Sequence, residues 1–191
     1  MNTTEQTTMG TNTTTTTQWA IDPTHSEIQF KVKHLMITTV TGSFQRFGGQ
    51  VEAPDNDLHN ARISFWAEVD SISTGNEQRD AHLRTAEFFD HEHHPRISFE
   101  SNGVTNEVHG DRWDLHGNLT INGHTHPVML QVEMGGVAKD PWGRTKAGIS
   151  LSGRINRKDW HLNWNTALES GGVLVSDEVR IGCEIQLIQQ I

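Results

Sequence analysis

Apolar and polar residues alternate along most of the chain, which is the pattern of β-strands with one buried face. In the segment 27–33, Ile28, Phe30 and Val32 fall on one face, and charged or polar side chains fall on the other. The same period of two recurs at 63–70, 97–100, 113–122, 128–135, 147–154 and 179–187. An eighth strand is predicted across 44–51, where Gly48-Gly49 suggests a bulge or bend. The pattern therefore predicts an all-β chain of about eight long antiparallel strands.

The turns and the closure of the sheet follow from the same pattern. Asn122-Gly123 and Gly135-Gly136 are predicted to be hairpin turns, and 54–57 and 140–143 are predicted to be loops. Eight strands of this kind close as a sandwich or as a barrel. The chain has no Tyr for the aromatic girdle of a membrane barrel, so the apolar face is expected to point inward. A barrel of eight strands can enclose one small ligand.

One segment predicts a helix. Thr74 and Glu77 have the spacing of a capping box, with Thr74 as the N-cap and Glu77 three positions later. This predicts a short helix over 76–85, after which Phe88 and Phe89 are expected to pack under the sheet. A second helical turn is predicted near 156–161.

Composition divides the chain into a tail and one domain. Residues 1–18 include ten Thr and no apolar run, which predicts a disordered tail and a single domain over 19–191. The tail also lacks the basic start and apolar run of a secretory signal. The protein is therefore expected to be cytoplasmic, or periplasmic if a leader has been removed.

Charge and cysteine content exclude several functional classes. The formal net charge is -9, which argues against a nucleic-acid partner. No apolar stretch is long enough for a transmembrane helix. Cys183 is the single cysteine, which excludes an internal disulfide and a four-cysteine zinc site. Cys183 falls on the inward-facing positions of its predicted strand, which predicts a small buried residue without reactivity.

Four sequence blocks, taken in order, resemble the YceI-like family of polyisoprenoid- and lipid-binding proteins. The blocks are 22–30 (DPTHSEIQF), 79–84 (RDAHLR) with 87–90 (EFFD), 117–128 (GNLTINGHTHPV), and 156–160 (NRKDW) with 176–179 (SDEV). The chain departs from the family at Trp160-His161, where Phe-Gly is usual, and at Ser176, where Gly is usual. These departures leave the fold unaffected and concern the mouth of a pocket.

The resemblance implies a lipocalin-like, extended, antiparallel eight-stranded β-barrel around an apolar tunnel. It also implies that the protein binds, carries or stores a long-chain isoprenoid or quinone-like lipid, without catalysis or any other cofactor. A homodimer is a further possibility. The alternative for the inward side chains is a solid core. The candidate ligand-binding residues are Ile28, Phe30, Val32, Phe65, Val69, Arg79, His82, Leu83, Phe88, Phe99, Leu115, Leu119, Leu130, Val132, Ile149, Leu151 and Ile181.

Polar residues near the predicted helix have two interpretations. Arg79 and His82 share a helix face and could meet a lipid head group at a tunnel mouth. The alternative is that Arg79 pairs with a local carboxylate and caps a loop. For His25 and His34, hydrogen bonds to strand-end backbone are expected instead of ligand contact.

The 12 histidines suggest a rival function and a pH response. His91, His93 and His94 form one cluster and His124 and His126 another, and such residues could bind a metal for a metal-assisted hydrolase. His116 or Asp90 could supply a third protein ligand only if the fold brings it close, which the sequence does not show, so no metal site is predicted. Protonation of all histidines would change the formal charge from -9 to +3, so lipid release or membrane contact could respond to mild acid.

Overall fold

The fold was analysed in a computed structural model, which describes residues 15–108, 110–169 and 173–190. Within these ranges the chain forms one α-helix, α1 (Glu77–Arg84), and two short 3₁₀ helices, Val69–Ser71 and Arg157–Trp160. The strands are β1 (Thr16–Ile21), β2 (Glu27–His34), β3 (Thr38–Phe44), β4 (Phe47–Pro54), β5 (Arg62–Glu68), β6 (Ile72–Ser73), β7 (Arg96–Val108), β8 (Arg112–Ile121), β9 (His124–Lys139), β10 (Thr145–Asn156) and β11 (Val175–Gln189).

These strands form eight antiparallel passes of the chain that close into a barrel. The first pass consists of β1 and β2, which pair in line with the same edge of β11. The second consists of β3 and β4, and the third of β5 and β6 with the 3₁₀ helix between them. The remaining strands, β7 to β11, follow as single passes. The predicted eight-stranded barrel is confirmed, and three of its passes are broken by bends.

Two of the predicted turn features are wrong. Asn122-Gly123 does form the turn between β8 and β9, with left-handed φ angles of 50° and 74°. Gly135-Gly136, however, lies inside β9 at a bulge, because Gly148 pairs with Gly136 while Ile149 pairs with Met134. Gly48-Gly49 lies within β4 and forms no bulge, because β4 pairs with β5 in continuous register. The bend that interrupts the predicted strand 44–51 lies just before these glycines, at 45–46. A Cβ atom at Gly49 would lie 2.5 Å from the Ser64 carbonyl oxygen, so close strand contact requires that glycine.

Helix α1 begins at a different cap from the one predicted. The Asn76 side chain accepts a 2.9 Å hydrogen bond from the Arg79 N–H and is therefore the N-cap. Thr74 does not cap the helix, because its N–H and hydroxyl both donate to the buried carboxylate of Asp80. The predicted helical turn near 156–161 is present as the 3₁₀ helix Arg157–Trp160.

The barrel begins before the boundary expected at Trp19. Residues 16–18, which the composition places in the tail, belong to β1 and pair with β4. Trp19 is 1% exposed and anchors this strand in the core. Residues 1–14 of the predicted tail lie outside the described residues. Among the residues that are described, no helix is both long and apolar enough to cross a bilayer.

Candidate functional site

Burial changes systematically along the inward face of β11. Val179, Ile181 and Cys183 face the interior but are only half-buried, whereas Ile185 and Leu187 further along the strand are buried. Strand β10 repeats this gradient in the opposite chain direction, because Ala147 is buried while Ile149 and Leu151 are half-buried. Inward side chains that remain accessible must border a hollow. The barrel is therefore solid at the end where β1 begins, here called the closed end, and hollow toward the end that carries α1.

The hollow is a cavity of about 680 Å³ with a predominantly apolar lining. The cavity excludes the interpretation of the interior as a solid core throughout. Of the seventeen candidate residues, Val69 alone is absent from the lining. It lies in a 3₁₀ helix, where side chains no longer alternate as in a strand, and it is buried in the core. The sixteen that line it are Ile28, Phe30, Val32, Phe65, Arg79, His82, Leu83, Phe88, Phe99, Leu115, Leu119, Leu130, Val132, Ile149, Leu151 and Ile181.

Several lining residues were not predicted. Ile97 and Trp113 share the inward parity of their strands and could have been found from the alternation. Leu162 and Trp164 come from the irregular segment after the second 3₁₀ helix, where no periodicity identifies them. His34 also lines the cavity. His25 hydrogen-bonds the Asp22 carboxylate at 2.9 Å, and not the strand-end backbone that was expected.

The cavity opens beside the first turn of α1. Among the described residues, the lining residues exposed to solvent are Asn76, Gln78 and Arg79, and all three lie there. The Arg79 guanidinium donates to the Thr74 hydroxyl at 2.6 Å and to the Thr74 carbonyl at 2.8 Å. It caps this loop as expected, but no carboxylate within the described ranges lies within 4.0 Å of it. A cationic group is thus fixed at the mouth.

His82 and two aromatic rings form one wall of the mouth. The His82 ring meets the Trp164 and Phe88 rings edge to face, with centroids 5.0 and 5.2 Å apart. Its Nε2 atom lies 2.6 Å from a Glu87 carboxylate oxygen. His82 therefore borders the cavity chiefly through packing, and its polar edge is engaged by Glu87.

A buried arginine holds the segment that carries Trp164. Arg157 is 3% exposed, and its guanidinium donates to the carbonyl oxygens of Ser176 at 3.0 Å, Trp164 at 2.8 Å and Leu162. Burial lowers the pKa of this guanidinium, and the Asp177 carboxylate 3.5 Å away opposes that shift. Arg157 thereby holds three backbone carbonyls around the mouth, two in the irregular segment and one in β11.

Cys183 faces the cavity, and its environment makes the thiol unreactive. Burial raises the pKa of its thiol to about 12, so the thiol stays protonated at neutral pH. This agrees with the expectation of an unreactive residue, because the thiolate is the nucleophilic form.

Neither histidine cluster predicted from sequence lines the cavity, and His94 of the first lies against the Gly123 turn beside His124 of the second. The rings of His124 and His161 stack at 4.0 Å between centroids and 5° between planes, and His126 packs on Trp160. Parallel stacked rings do not converge their nitrogen lone pairs on one point. Within the part of the chain that is described, no three His, Cys, Asp or Glu side chains are arranged to hold a metal.

Two histidines are predicted to affect stability in opposite directions as pH falls. Burial, together with His161, His126 and His94, lowers the pKa of His124 below its ordinary value of 6.5. As pH drops below 6.5, this histidine is protonated more readily in the unfolded chain than in the folded protein, so the folded protein loses stability. Asp90 raises the pKa of His93, so this pair stabilises the fold at low pH, and its contribution is lost as pH rises.

Melting temperatures at roughly pH 7.5 and 5.5 test this pair of histidines. A His124→Asn variant should lose less thermal stability on acidification than the unmodified protein, and His93→Asn should lose more. Equal acid sensitivity of all three proteins would contradict the opposing shifts.

The positions at which the chain departs from the family pattern have structural roles. The Trp160 indole N–H donates to the Leu119 carbonyl at 2.9 Å, and the ring is 1% exposed. Ser176 is buried, accepts from the Lys33 N–H at 3.0 Å and donates to the Glu178 carbonyl at 2.8 Å. Neither residue lines the cavity. Trp160 and Ser176 therefore stabilise the wall of the mouth without contacting the cavity.

Comparisons with known proteins agree with this architecture. A UPF0312 protein of Staphylococcus epidermidis is 40% identical over 165 residues, which cover 86% of this chain and 93% of that protein. The Campylobacter jejuni YCEI protein structure is 27% identical, with a TM-score of 0.72 over 83% of this chain and 90% of that one. A polyisoprenoid binding domain from Saccharophagus degradans is 15% identical, has a TM-score of 0.66, covers 90% of this chain and 98% of that domain, and shares the fold.

The family assignment follows from the extent of the match. A model described as the YceI-like domain matches residues 19–187, a range that contains all four sequence blocks and all eight barrel passes except the outer ends of the first and last. The chain belongs to the YceI-like domain family.

Proposed function

We propose that the protein binds one long-chain amphipathic lipid of the isoprenoid class, with its tail in the cavity and its polar head at the α1 mouth. The observation that carries this proposal is the distribution of polarity in the lining. The lining is predominantly apolar from Leu187 at the floor to Phe88 near the opening, and its exposed polar side chains lie at the start of α1. An amphipathic molecule with one long tail matches this arrangement.

The size of the cavity supports a long hydrocarbon tail. Its 680 Å³ lies in the upper part of the roughly 300–1,000 Å³ range of cavities that bury most of a small ligand. Burial of each methylene is worth about 0.8 kcal/mol, so a tail of roughly 20 carbons gains on the order of 16 kcal/mol before costs. Ordering the chain and losing its free tumbling removes several kcal/mol or more, which still leaves tight binding.

The polar end of the lipid is proposed to meet Arg79. Its guanidinium is oriented by Thr74 and lies at the opening, where it can donate to a phosphate, hydroxyl or carbonyl oxygen. The polyisoprenoid-binding description of the Saccharophagus degradans domain supports the ligand class together with the apolar cavity. Because the Cys183 thiol is held protonated, we assign the cavity a binding role without covalent chemistry, and we propose that the protein carries or stores the lipid.

A metal-assisted hydrolase is the alternative function. It would need His124 and His126, or the His91–His94 cluster, to converge with a third ligand beside a substrate pocket. The stacked His124–His161 pair lies outside the cavity lining, which favours the lipid-binding proposal. Metal analysis of untagged protein, with His124→Ala and His126→Ala variants, separates the two functions.

Extraction of natively purified protein with organic solvent, followed by mass spectrometry, tests the proposed ligand. We expect a long-chain lipid in near-stoichiometric amount, absent from a parallel preparation of an unrelated protein from the same cells. Protein that carries no lipid and also fails to take up an added long-chain fluorescent lipid would contradict the proposal.

A further inference from the structure

An exposed apolar turn lies beside the cavity mouth. The β2–β3 tip, defined as Leu35, Met36 and Ile37, presents three large apolar side chains to solvent, with Met36 57% and Ile37 77% exposed. Val173, also exposed, lies on the adjoining segment, where the Leu35 N–H donates to the Leu174 carbonyl at 2.8 Å. These four exposed apolar side chains, carried by two segments that this hydrogen bond joins, are here called the apolar patch.

The backbone of the tip is unfavourable for the residues it carries. The Ile37 N–H closes the turn on the His34 carbonyl, and Leu35 and Met36 both adopt left-handed φ angles, 52° and 60°. Hairpin turns of this geometry favour Asn-Gly, the pair used between β8 and β9. Side chains such as Leu and Met strain that conformation. The apolar side chains of the tip are thus present against local conformational preference, which points to a role outside the fold.

The tip is continuous with the lining of the cavity. His34, immediately before the tip, and Leu174 and Val175, on the facing segment, all line the cavity. A surface that covered the tip would therefore also lie against the end of the barrel at which the cavity opens.

The hairpin that carries the tip is locally cationic in an acidic protein. There is no Asp or Glu between Glu27 and Glu52, whereas Lys31 and Lys33 lie on the strand leading to the tip. On the neighbouring strand, Asp177 is paired with Lys158 at 2.8 Å, and Glu178 is paired with Arg180 at 3.3 Å. The local charge therefore complements an anionic surface, although the whole chain carries a net charge of -9.

The size of the patch identifies the kind of partner. A stable protein–protein interface involves about 20–30 residues on each side, far more than the four side chains here. A few apolar side chains beside basic residues instead suit insertion into the interface of a bilayer, where apolar burial and attraction to anionic lipids act together.

We propose that the β2–β3 tip inserts into the surface of an anionic lipid bilayer and holds the mouth of the cavity against it. Lipid then passes between bilayer and cavity with little exposure of its tail to water. The transfer of lipid in this inference rests on the proposed function, whereas the docking of the tip to a bilayer does not.

Flotation of the full chain with vesicles of phosphatidylcholine and phosphatidylglycerol tests the docking. The test variant combines Leu35→Asn, Met36→Gly and Ile37→Thr, which places the favoured residues in the left-handed turn and so preserves folding. The matched control is Trp142→Ser, which removes a 78% exposed side chain from the closed end. We expect the test variant to bind vesicles at least about tenfold more weakly and the control to bind as the unmodified protein does.

Two further measurements separate docking from lipid binding. Uptake of 11-(dansylamino)undecanoic acid in solution should be unchanged in the tip variant, because none of its three positions lines the cavity. Vesicle binding should weaken with added salt and on pure phosphatidylcholine. Equal vesicle binding by the tip variant, loss of binding in Trp142→Ser alone, or a dimer that dissociates in the tip variant without any vesicle binding would overturn the proposal. Failure of the unmodified protein to take up the probe would instead count against the proposed function.

Discussion

A Leu130→Trp variant is expected to bind a long-chain fluorescent lipid about a hundredfold more weakly than the unmodified protein. Leu130 faces the cavity from the middle of β9 and is half-buried there, so a larger ring at this position projects into the space that a lipid tail would occupy. Displacement of three or four methylenes, each worth about 0.8 kcal/mol, costs roughly 3 kcal/mol, which corresponds to the expected loss of affinity.

The adjacent position on β9 supplies a matched control. Met129 points to the outer face and is 46% exposed, so Met129→Trp adds the same indole without entering the cavity. Titration of 11-(dansylamino)undecanoic acid, followed by fluorescence, should show normal affinity for Met129→Trp and weak affinity for Leu130→Trp. Circular dichroism and thermal melting verify that each variant is folded. Ile149→Phe, a smaller obstruction on the neighbouring strand β10, provides a second test if Leu130→Trp is unstable. Normal affinity in folded variants of both cavity positions would place the lipid elsewhere.

Replacement of Arg157 by Met is expected to lower the free energy of unfolding by about 3 kcal/mol. The substitution removes the donor to the carbonyl oxygens of Leu162, Trp164 and Ser176 and leaves these acceptors unpaired in a buried position. Buried acceptors without partners bear the full cost of their desolvation. The variant should also loosen the Trp164 segment at the mouth.

Lys158→Met is the control for Arg157→Met, since both residues lie near the Asp177 carboxylate. The Lys158 ammonium is 2.8 Å from Asp177 but half exposed, and an exposed ion pair is worth less than about 1 kcal/mol. Urea denaturation of both variants measures the difference. Similar losses in the two proteins would mean that the buried carbonyl network contributes little and that Asp177 pairing accounts for the effect.

The alternation of the sequence is informative because it reports a property of each strand by itself. In a strand, successive side chains face opposite sides, so inward positions such as Phe30, Leu130 and Ile181 are recognisable without knowledge of neighbouring strands. The Asn122-Gly123 turn is local in the same sense, because its residues favour the left-handed backbone that the hairpin requires. Val69 was misassigned because a 3₁₀ helix interrupts the strand parity at that residue.

Features that depend on partner strands were not predictable in this way. The Gly135-Gly136 bulge arises from the register between β9 and β10, and the bends at 45–46 and 69–71 depend on closure of the barrel. Strand β3 was missed because its Thr-rich segment shows little alternation, although it pairs with β2 along its length. The sequence identifies Arg157 only as part of a family block, because the carbonyl groups that it binds come together only in the folded chain.

The sequence by itself determined that the strands have one apolar face, that this face turns inward and that the family blocks occur in order. Only the tertiary structure decided whether the inward side chains meet or border a void, because the same alternation serves a filled barrel and a hollow one. The outcome depends on the distance between opposite walls of the barrel. The inward side chains Trp19 and Ala147 are packed in the core, whereas Ile149 and Ile181 border the cavity. The structure likewise placed the strained apolar tip beside the mouth, because distance along the chain does not measure proximity around a closed sheet.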